Sequence, residues 1–343
     1  MSPLAASSKE IMLDDYLQPF YDRYSRHLDT VYDVDKQIWY PDQTYLNLAD
    51  NYVWNPLKRN REIMSLASIY KYRAQNSALA RKKIEDAILN ATFRSKRLVS
   101  DQSFDQAIAN FLILRLMQQI QNPPLFTENT INKILNYMAN RLPYGLKAAD
   151  TENRAALAGV YWNYVSKYFY DNKILTDKEW QEARESIKNK IDLSIEQTLN
   201  DDYIYREVNR KYFSLHYHIV EAYMLAAYGK MTNQPQYLDI AKKMTDYANS
   251  LAGPRGFLDA HLGNRPEGEG AQAYLMMGIL NQLFGNNAKA QAYLTYAQGS
   301  RFFRDPKFPD RLAWWNTDLN NPTKFYDDYS FANMAELALV IAK

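Results

Sequence analysis

The stretch SFDQAIANFLILRLMQQIQNPP, Ser103–Pro124, reads as a helix with both ends marked. Asp101 and Ser103 offer an N-cap oxygen, the run Phe104–Ile120 is apolar at helical spacing, and Pro123-Pro124 stops it. The same reading predicts helices near 10–31, 60–75, 77–98, 103–121, 127–141, 151–172, 177–199, 204–229, 235–251, 268–285, 287–303 and 328–342. Thr127 and Thr176 stand where a hydroxyl caps a helix start, and Gly229 and Gly285 follow apolar stripes as C′ glycines do. With 11 Gly in 343 residues and few alternating β-branched runs, a large sheet is excluded and the chain is all-α. Short connections without heptads make antiparallel hairpins, and no period is strict enough for a tetratricopeptide or HEAT array. Two packings satisfy this: an irregular α-solenoid, or an α/α toroid in which inner and outer helices alternate.

Composition removes whole classes of function. The 41 Lys+Arg against 39 Asp+Glu give a net charge of +2, and the basic residues are dispersed, so nucleic acid is not an expected partner. No run approaches the roughly 18–20 apolar residues that membrane insertion requires. The absence of Cys excludes disulfides, thiolate catalysis and Cys-type metal sites. There is no P-loop, no Rossmann glycine set and no G-x-S-x-G, so no cofactor is called for. The start MSPLAASSKE lacks signal-peptide features; a flexible first ~10 residues and one domain over 1–343 are expected, with any leader already removed.

Three stretches break the helical pattern: Trp39–Arg61, Arg141–Asp150, and Gly253–Glu269 with Arg304–Asp328. Long connections on a rigid scaffold carry function. Four clusters stand out near them. On a helix over 204–229, Arg210 and Tyr217 are separated by about 700°, roughly 20° short of two turns, and so share one face about 10 Å apart. His216 and His218 flank the tyrosine without the i,i+4 spacing of a zinc pair, so no metal is expected. Asn153 and Arg154 open a second helix, where amide donors favour a carboxylate; ordinary capping is the plain alternative. Arg265, Glu267 and Glu269 lead into a third, as acids of a first turn or as an acid–base pair. Trp314 and Trp315, followed by Tyr326, Asp327, Asp328 and Tyr329, offer aromatic faces beside polar groups, which suits sugar rings.

The segment Leu215-His216-Tyr217-His218, with Arg210 seven positions before the tyrosine, resembles the Tyr-His helix of alginate-lyase-like polysaccharide lyases. That family also has an Asn-Asn-His-x-Tyr-Trp motif. Here Glu152-Asn153-Arg154 occupies its start, Arg154 stands for the histidine, and the pair Tyr161-Trp162 is displaced. The resemblance covers about 145–300. It implies an α/α toroid, an incomplete barrel of about six hairpins, that cleaves an acidic, uronate-containing polysaccharide by β-elimination. In that reading Asn153 and Arg154 neutralise the carboxylate, and Tyr217 is base, acid or both. Arg210 favours its phenolate, and His218 or His216 orients the tyrosine or takes the proton itself. His216, Arg265, Glu267, Trp314, Trp315 and Tyr329 line the substrate groove. A periplasmic or secreted location follows from the same resemblance. Two rivals share the scaffold: a glycoside hydrolase using two carboxylates among Asp259, Glu267, Glu269, Asp327 and Asp328, and a non-catalytic polysaccharide-binding protein.

Overall fold

A computed structural model describes residues 13–29, 32–33, 38–39, 60–94, 103–253, 258, 271–299 and 328–342. Among them are twelve helices of nine residues or more: α1 (Leu13–Asp29), α2 (Asn60–Ser68), α3 (Ala78–Leu89), α4 (Ser103–Gln119), α5 (Glu128–Lys147), α6 (Asn153–Asp171), α7 (Asp177–Thr198), α8 (Leu215–Thr232), α9 (Pro235–Leu251), α10 (Ala271–Leu283), α11 (Asn287–Gly299) and α12 (Asp328–Ile341). One two-residue pair, Tyr32–Asp33 against Ile38–Trp39, runs antiparallel between α1 and α2.

Even-numbered helices form the inner ring. Each packs on the next, α2 on α4, α4 on α6, α6 on α8, α8 on α10 and α10 on α12, and α12 returns to α2. The expected α/α toroid is therefore present, and its ring closes, one contact beyond an incomplete barrel. Sequence explains which helices go inside. Nearly every residue of α4 from Ser103 to Met117 is buried, as are those of α8 from Leu215 to Gly229 except Tyr217. A helix apolar all round has no face to give to water. Outer helices bury one stripe only, as in α9 with Tyr237, Ala241, Met244, Thr245 and Ala248. Burying each large apolar side chain of such a stripe contributes about 1.5–3 kcal/mol.

Tyrosine fills the centre because its ring is large and its hydroxyl can reach backbone oxygen. Tyr223 Oη donates to the Met334 carbonyl at 2.9 Å, and Tyr161 and Tyr21 reach the carbonyls of Asn333 and Ala332, each at 3.4 Å. At one end of the ring Glu336 Oε1 lies 2.6 Å from Lys71 Nζ, with Arg115 Nε 3.7 Å from its other oxygen. Thr127 and Thr176 cap α5 and α7, the latter through a complete capping box with Glu179.

Three expectations need correction. The helix read over 127–141 continues to Lys147 with Pro143 inside it, so most of Arg141–Asp150 is not loop. Gly229 does not end α8; left-handed Asn233 does, and Gly229 instead lets Leu238 of α9 approach closely. The helix read over 204–229 is two pieces. Arg210 has φ of 62°, which ends a one-turn helix Glu207–Arg210; Tyr212–Phe213 is extended, and Ser214 caps α8 afresh.

Candidate active site

The connections of the toroid are unequal. Those from an inner helix to the next outer one are short: 172–176, 233–234 and 284–286. The longest ones, 30–59, 252–270 and 300–327, each lead into an inner helix, as does 199–214. Antiparallel hairpins put all six inner N-termini at one mouth, and the side-chain bonds there agree. Asn60 Nδ2 of α2 donates to Gln106 Oε1 of α4 at 3.2 Å, and Arg61 pairs with Asp105 at 3.0 Å. Ser103 of α4 and Lys190 of α7 both hold Asp150 just before α6, the lysine at 2.9 Å. His216 Nε2 of α8 meets the side-chain amide of Gln272, in α10, at 3.0 Å.

The start of α6 is clamped. Glu152, its N-cap, has φ of 53° and ψ of −139°, a conformation an L side chain resists. Its N–H donates to Gln197 Oε1 at 2.8 Å, and its carbonyl accepts from Ser194 Oγ at 2.7 Å. Ser194 Oγ is also 2.7 Å from Glu221 Oε1 of α8. A hydroxyl has one proton, and the Glu152 carbonyl can only accept. The proton between Ser194 and Glu221 therefore comes from the carboxyl, which is neutral. Burial independently pushes the Glu221 carboxyl up to about 8.

Around this clamp lie the sequence-derived candidates. Asn153 is half-buried and Arg154 exposed in the first turn of α6. Tyr217 is half-buried in the first turn of α8, its ring 5.4 Å from that of His216 and 6.2 Å from that of Tyr205. The Tyr205 phenol is buried and has no hydrogen-bond partner among the described residues. Burial, then the charges of Glu221, Glu152 and Glu207, then Tyr217, hold it far above ordinary tyrosine ionisation. Those neighbours place Glu152 of α6 and Glu221 and Tyr217 of α8 around one phenol.

Two of the proposed elimination groups are engaged elsewhere. Arg210 is exposed and donates to Asn200 Oδ1 at 3.0 Å and to the Glu196 carbonyl, beside the end of the outer helix α7. The face it was expected to share with Tyr217 does not exist, because the helix breaks between them. His218 is fully buried. Its Nδ1 accepts from the Tyr205 N–H at 3.1 Å, so Nε2 carries the proton and donates to the Met244 carbonyl at 2.8 Å. Neither ring nitrogen is left for a substrate. Burial lowers both His216 and His218 to about 4, so both are neutral at pH 7.

Arg265, Glu267, Trp314 and Trp315 lie outside the described residues, as do Asp259, Glu269 and Asp327. Asp328 and Tyr329 open the inner helix α12 at the mouth; their side chains lie outside the described residues. Sequence reading missed Ser194, Gln197 and Tyr205. Glu221 carried a signal of its own, since a lone carboxyl inside the apolar run Ile219–Ala227 is the kind of residue that titrates abnormally. Among the described residues, no three His, Asp or Glu side chains could hold a metal ion, and no helix is long and apolar enough to cross a membrane.

No protein-family model and no curated protein matches the chain. Solved structures do. An unsaturated glucuronyl hydrolase of Streptococcus agalactiae, in complex with dGlcA-GalNAc6S, superimposes with a TM-score of 0.63 at 10% identity over 97% of this chain and 92% of the other. An α-1,6-mannanase of a Salegentibacter species gives 0.58 at 12% identity over 95% and 99%. The Lin0763 protein of Listeria innocua gives 0.58 at 14% identity over 94% and 96%. At such identity the likeness is one of fold.

Proposed function

We propose that this chain is a carbohydrate-active enzyme that hydrolyses glycosidic bonds in a glycan carrying acidic sugars, at the mouth where the six inner helices begin. The observation that carries the choice of hydrolysis over elimination is the position of Arg210. Removal of a proton by Tyr217 needs a cation beside the phenol, because an unperturbed tyrosine near pKa 10 is a weak base at pH 7. Arg210 is turned to the outer flank, and His218 is spent on backbone. Hydrolysis needs instead two carboxyl groups, one of them protonated. Two carboxyl-bearing residues stand at the mouth, Glu152 capping α6 and Glu207 preceding α8. In the sequence Glu267, Glu269 and Asp327 precede α10 and α12, and Asp328 is the first residue of α12. Glu221, buried behind them, holds the α6 cap in place and is a positioning residue. Arg154, exposed at the α6 start, is a ready partner for a sugar carboxylate.

The likeness in fold to two toroid hydrolases supports this reading. In the mannanase, a variant with alanine in place of two adjacent aspartates is inactive; this sequence has an adjacent pair, Asp327-Asp328, where α12 begins. A single catalytic domain working in the periplasm or outside the cell belongs to the same proposal. Elimination remains the second reading, because Asn153, Arg154 and Tyr217 do share the mouth.

The test is incubation with uronate-containing polysaccharides and mannans, following reducing ends and the ultraviolet absorbance of a new carbon–carbon double bond in parallel. Reducing ends without absorbance, lost in Asp328→Asn or Glu152→Gln, are expected. Absorbance that rises with cleavage and disappears in Tyr217→Phe would establish the lyase instead. Tight oligosaccharide binding without turnover would make the chain a binding protein.

A further inference from the structure

We infer that the opposite end of the toroid, where the inner helices finish, holds a second binding site, one that takes a single neutral sugar ring. A cavity of about 240 Å³ is lined there by Gln118, Asn163, Tyr164, Lys167, Tyr168, Asp171, Met231 and Val340. Gln118, Met231 and Val340 each stand one residue before the end of α4, α8 and α12, and the other five occupy the last half of α6. The cavity is thus separated from the mouth by the length of the inner helices, and its existence depends on no reaction there.

Three features distinguish it from an ordinary surface dimple. Its walls are fixed in advance: the Tyr164 ring packs edge-on against Phe111 at 4.9 Å, and its hydroxyl donates to Gln118 Oε1 at 2.6 Å. Its lining includes Asn163, 4% exposed, whose side-chain amide makes no hydrogen bond among the described residues but is not sealed from solvent. A ligand hydroxyl seated there would replace the water that reaches this amide. Finally, its lining mixes the apolar side chains of Met231 and Val340 with the rings of Tyr164 and Tyr168.

Chemistry selects the ligand class. The volume falls below the roughly 300 Å³ floor of sites for drug-sized molecules, so one ring fits and a chain does not. Helix C-termini carry negative partial charge, and Lys167 is neutralised by Asp171 at 2.8 Å, so an anion is disfavoured. Gln118 retains two amide donors, Asn163 has donors and an acceptor, and Tyr168 has both. Hydroxyl groups on an otherwise C–H-faced ring answer this mixture, with the rings available for stacking.

The experiment uses the full chain with D-glucose, D-mannose, D-galactose and D-glucuronate, read by amide NMR. Saturable shifts at Asn163 and at backbone amides 164–171, from at least one neutral hexose and not from glucuronate, are expected. Tyr168→Ala, at the partly exposed rim, should weaken that binding roughly tenfold while the fold persists. Asn163→Leu should abolish it. Shifts confined to 153–156, equal binding of glucuronate, unaltered affinity in Tyr168→Ala, or no saturation by any neutral hexose would overturn the site.

Discussion

The carboxyl of Glu221 and the hydroxyl of Ser194 lie 2.7 Å apart, and the proton between them belongs to Glu221. One turn of α8 therefore supports the cap of α6 through a neutral acid. If that acid ionises, it becomes an acceptor only and competes with the Glu152 carbonyl for the single Ser194 proton.

That competition has a pH signature. The folded-state carboxyl is raised from 4.5 to about 8. Above the unfolded value the native state binds the extra proton, so this contribution to stability is complete below pH ~4.5 and is lost as pH rises toward ~8, at up to about 1.4 kcal/mol per pH unit. Glu221→Gln keeps a donor toward Ser194 and removes the titration. Its urea midpoint should be flatter than that of the parent between pH 5 and 8 and higher at pH 8. Parallel pH profiles for the two proteins would contradict the neutral carboxyl.

His218 predicts a loss of stability rather than of chemistry. Replacing it by Leu strands the buried Tyr205 N–H, at about 1–3 kcal/mol, while the Met244 carbonyl keeps its bond within α9. Urea unfolding should show a loss of roughly 1–3 kcal/mol. Any turnover measured well below the new midpoint should fall less than twofold. A hundredfold loss in a fully folded His218→Leu variant would return the histidine to the reaction.

The ring of helices was legible because one period ran through the whole chain and its punctuation was local: Thr176 with Glu179, Thr127, Pro123-Pro124. Inner and outer helices also differ in composition along their own length, as α4 and α9 show. The site was legible only where it sat on uninterrupted helix. Asn153, Arg154 and Tyr217 reached the mouth together. The angle drawn from Arg210 to Tyr217 assumed that the helical period persisted through Lys211–Ser214, and a left-handed residue at Arg210 destroyed that phase. Nothing in residue type announces a positive φ at an arginine. Ser194 and Gln197 were invisible for a different reason. They belong to an outer helix and act on α6 across a long-range contact that no sequence spacing encodes.

Glu336 tests the far end of the ring. Its side chain is 1% exposed and faces Lys71 at 4% and Arg115 at 11%. Glu336→Gln leaves two buried cations without a countercharge, and breaking such a set costs about 3–5 kcal/mol. Lys71 keeps the faces of Tyr72 and Tyr21, 4.6 and 5.4 Å away, which moves the expectation to the lower bound. Thermal and urea unfolding should agree on it. A loss under 1 kcal/mol would mean that water reaches the cluster.

Gly145 carries the last prediction, because two effects of opposite sign meet there. Alanine in a helix interior is favoured over glycine by about 0.5–1 kcal/mol. A Cβ at 145, however, would stand 2.2 Å from Cζ2 and 2.7 Å from Cε2 of Trp162, whose ring is wholly buried between α5 and the inner ring. Overpacking of that kind costs about 1–3 kcal/mol, so the clash wins and Gly145→Ala destabilises. Trp162 sits on α6, nine residues beyond Asn153, so a displaced indole also tilts the helix that presents Asn153 and Arg154 at the mouth. Removing the indole should relieve the conflict: in a Trp162→Phe background, Gly145→Ala should cost less by about 1 kcal/mol or more, a coupling readable from a double-mutant cycle in urea. Additive losses would show that the ring yields without resistance, and that α5 and α6 are not held at the distance the glycine allows.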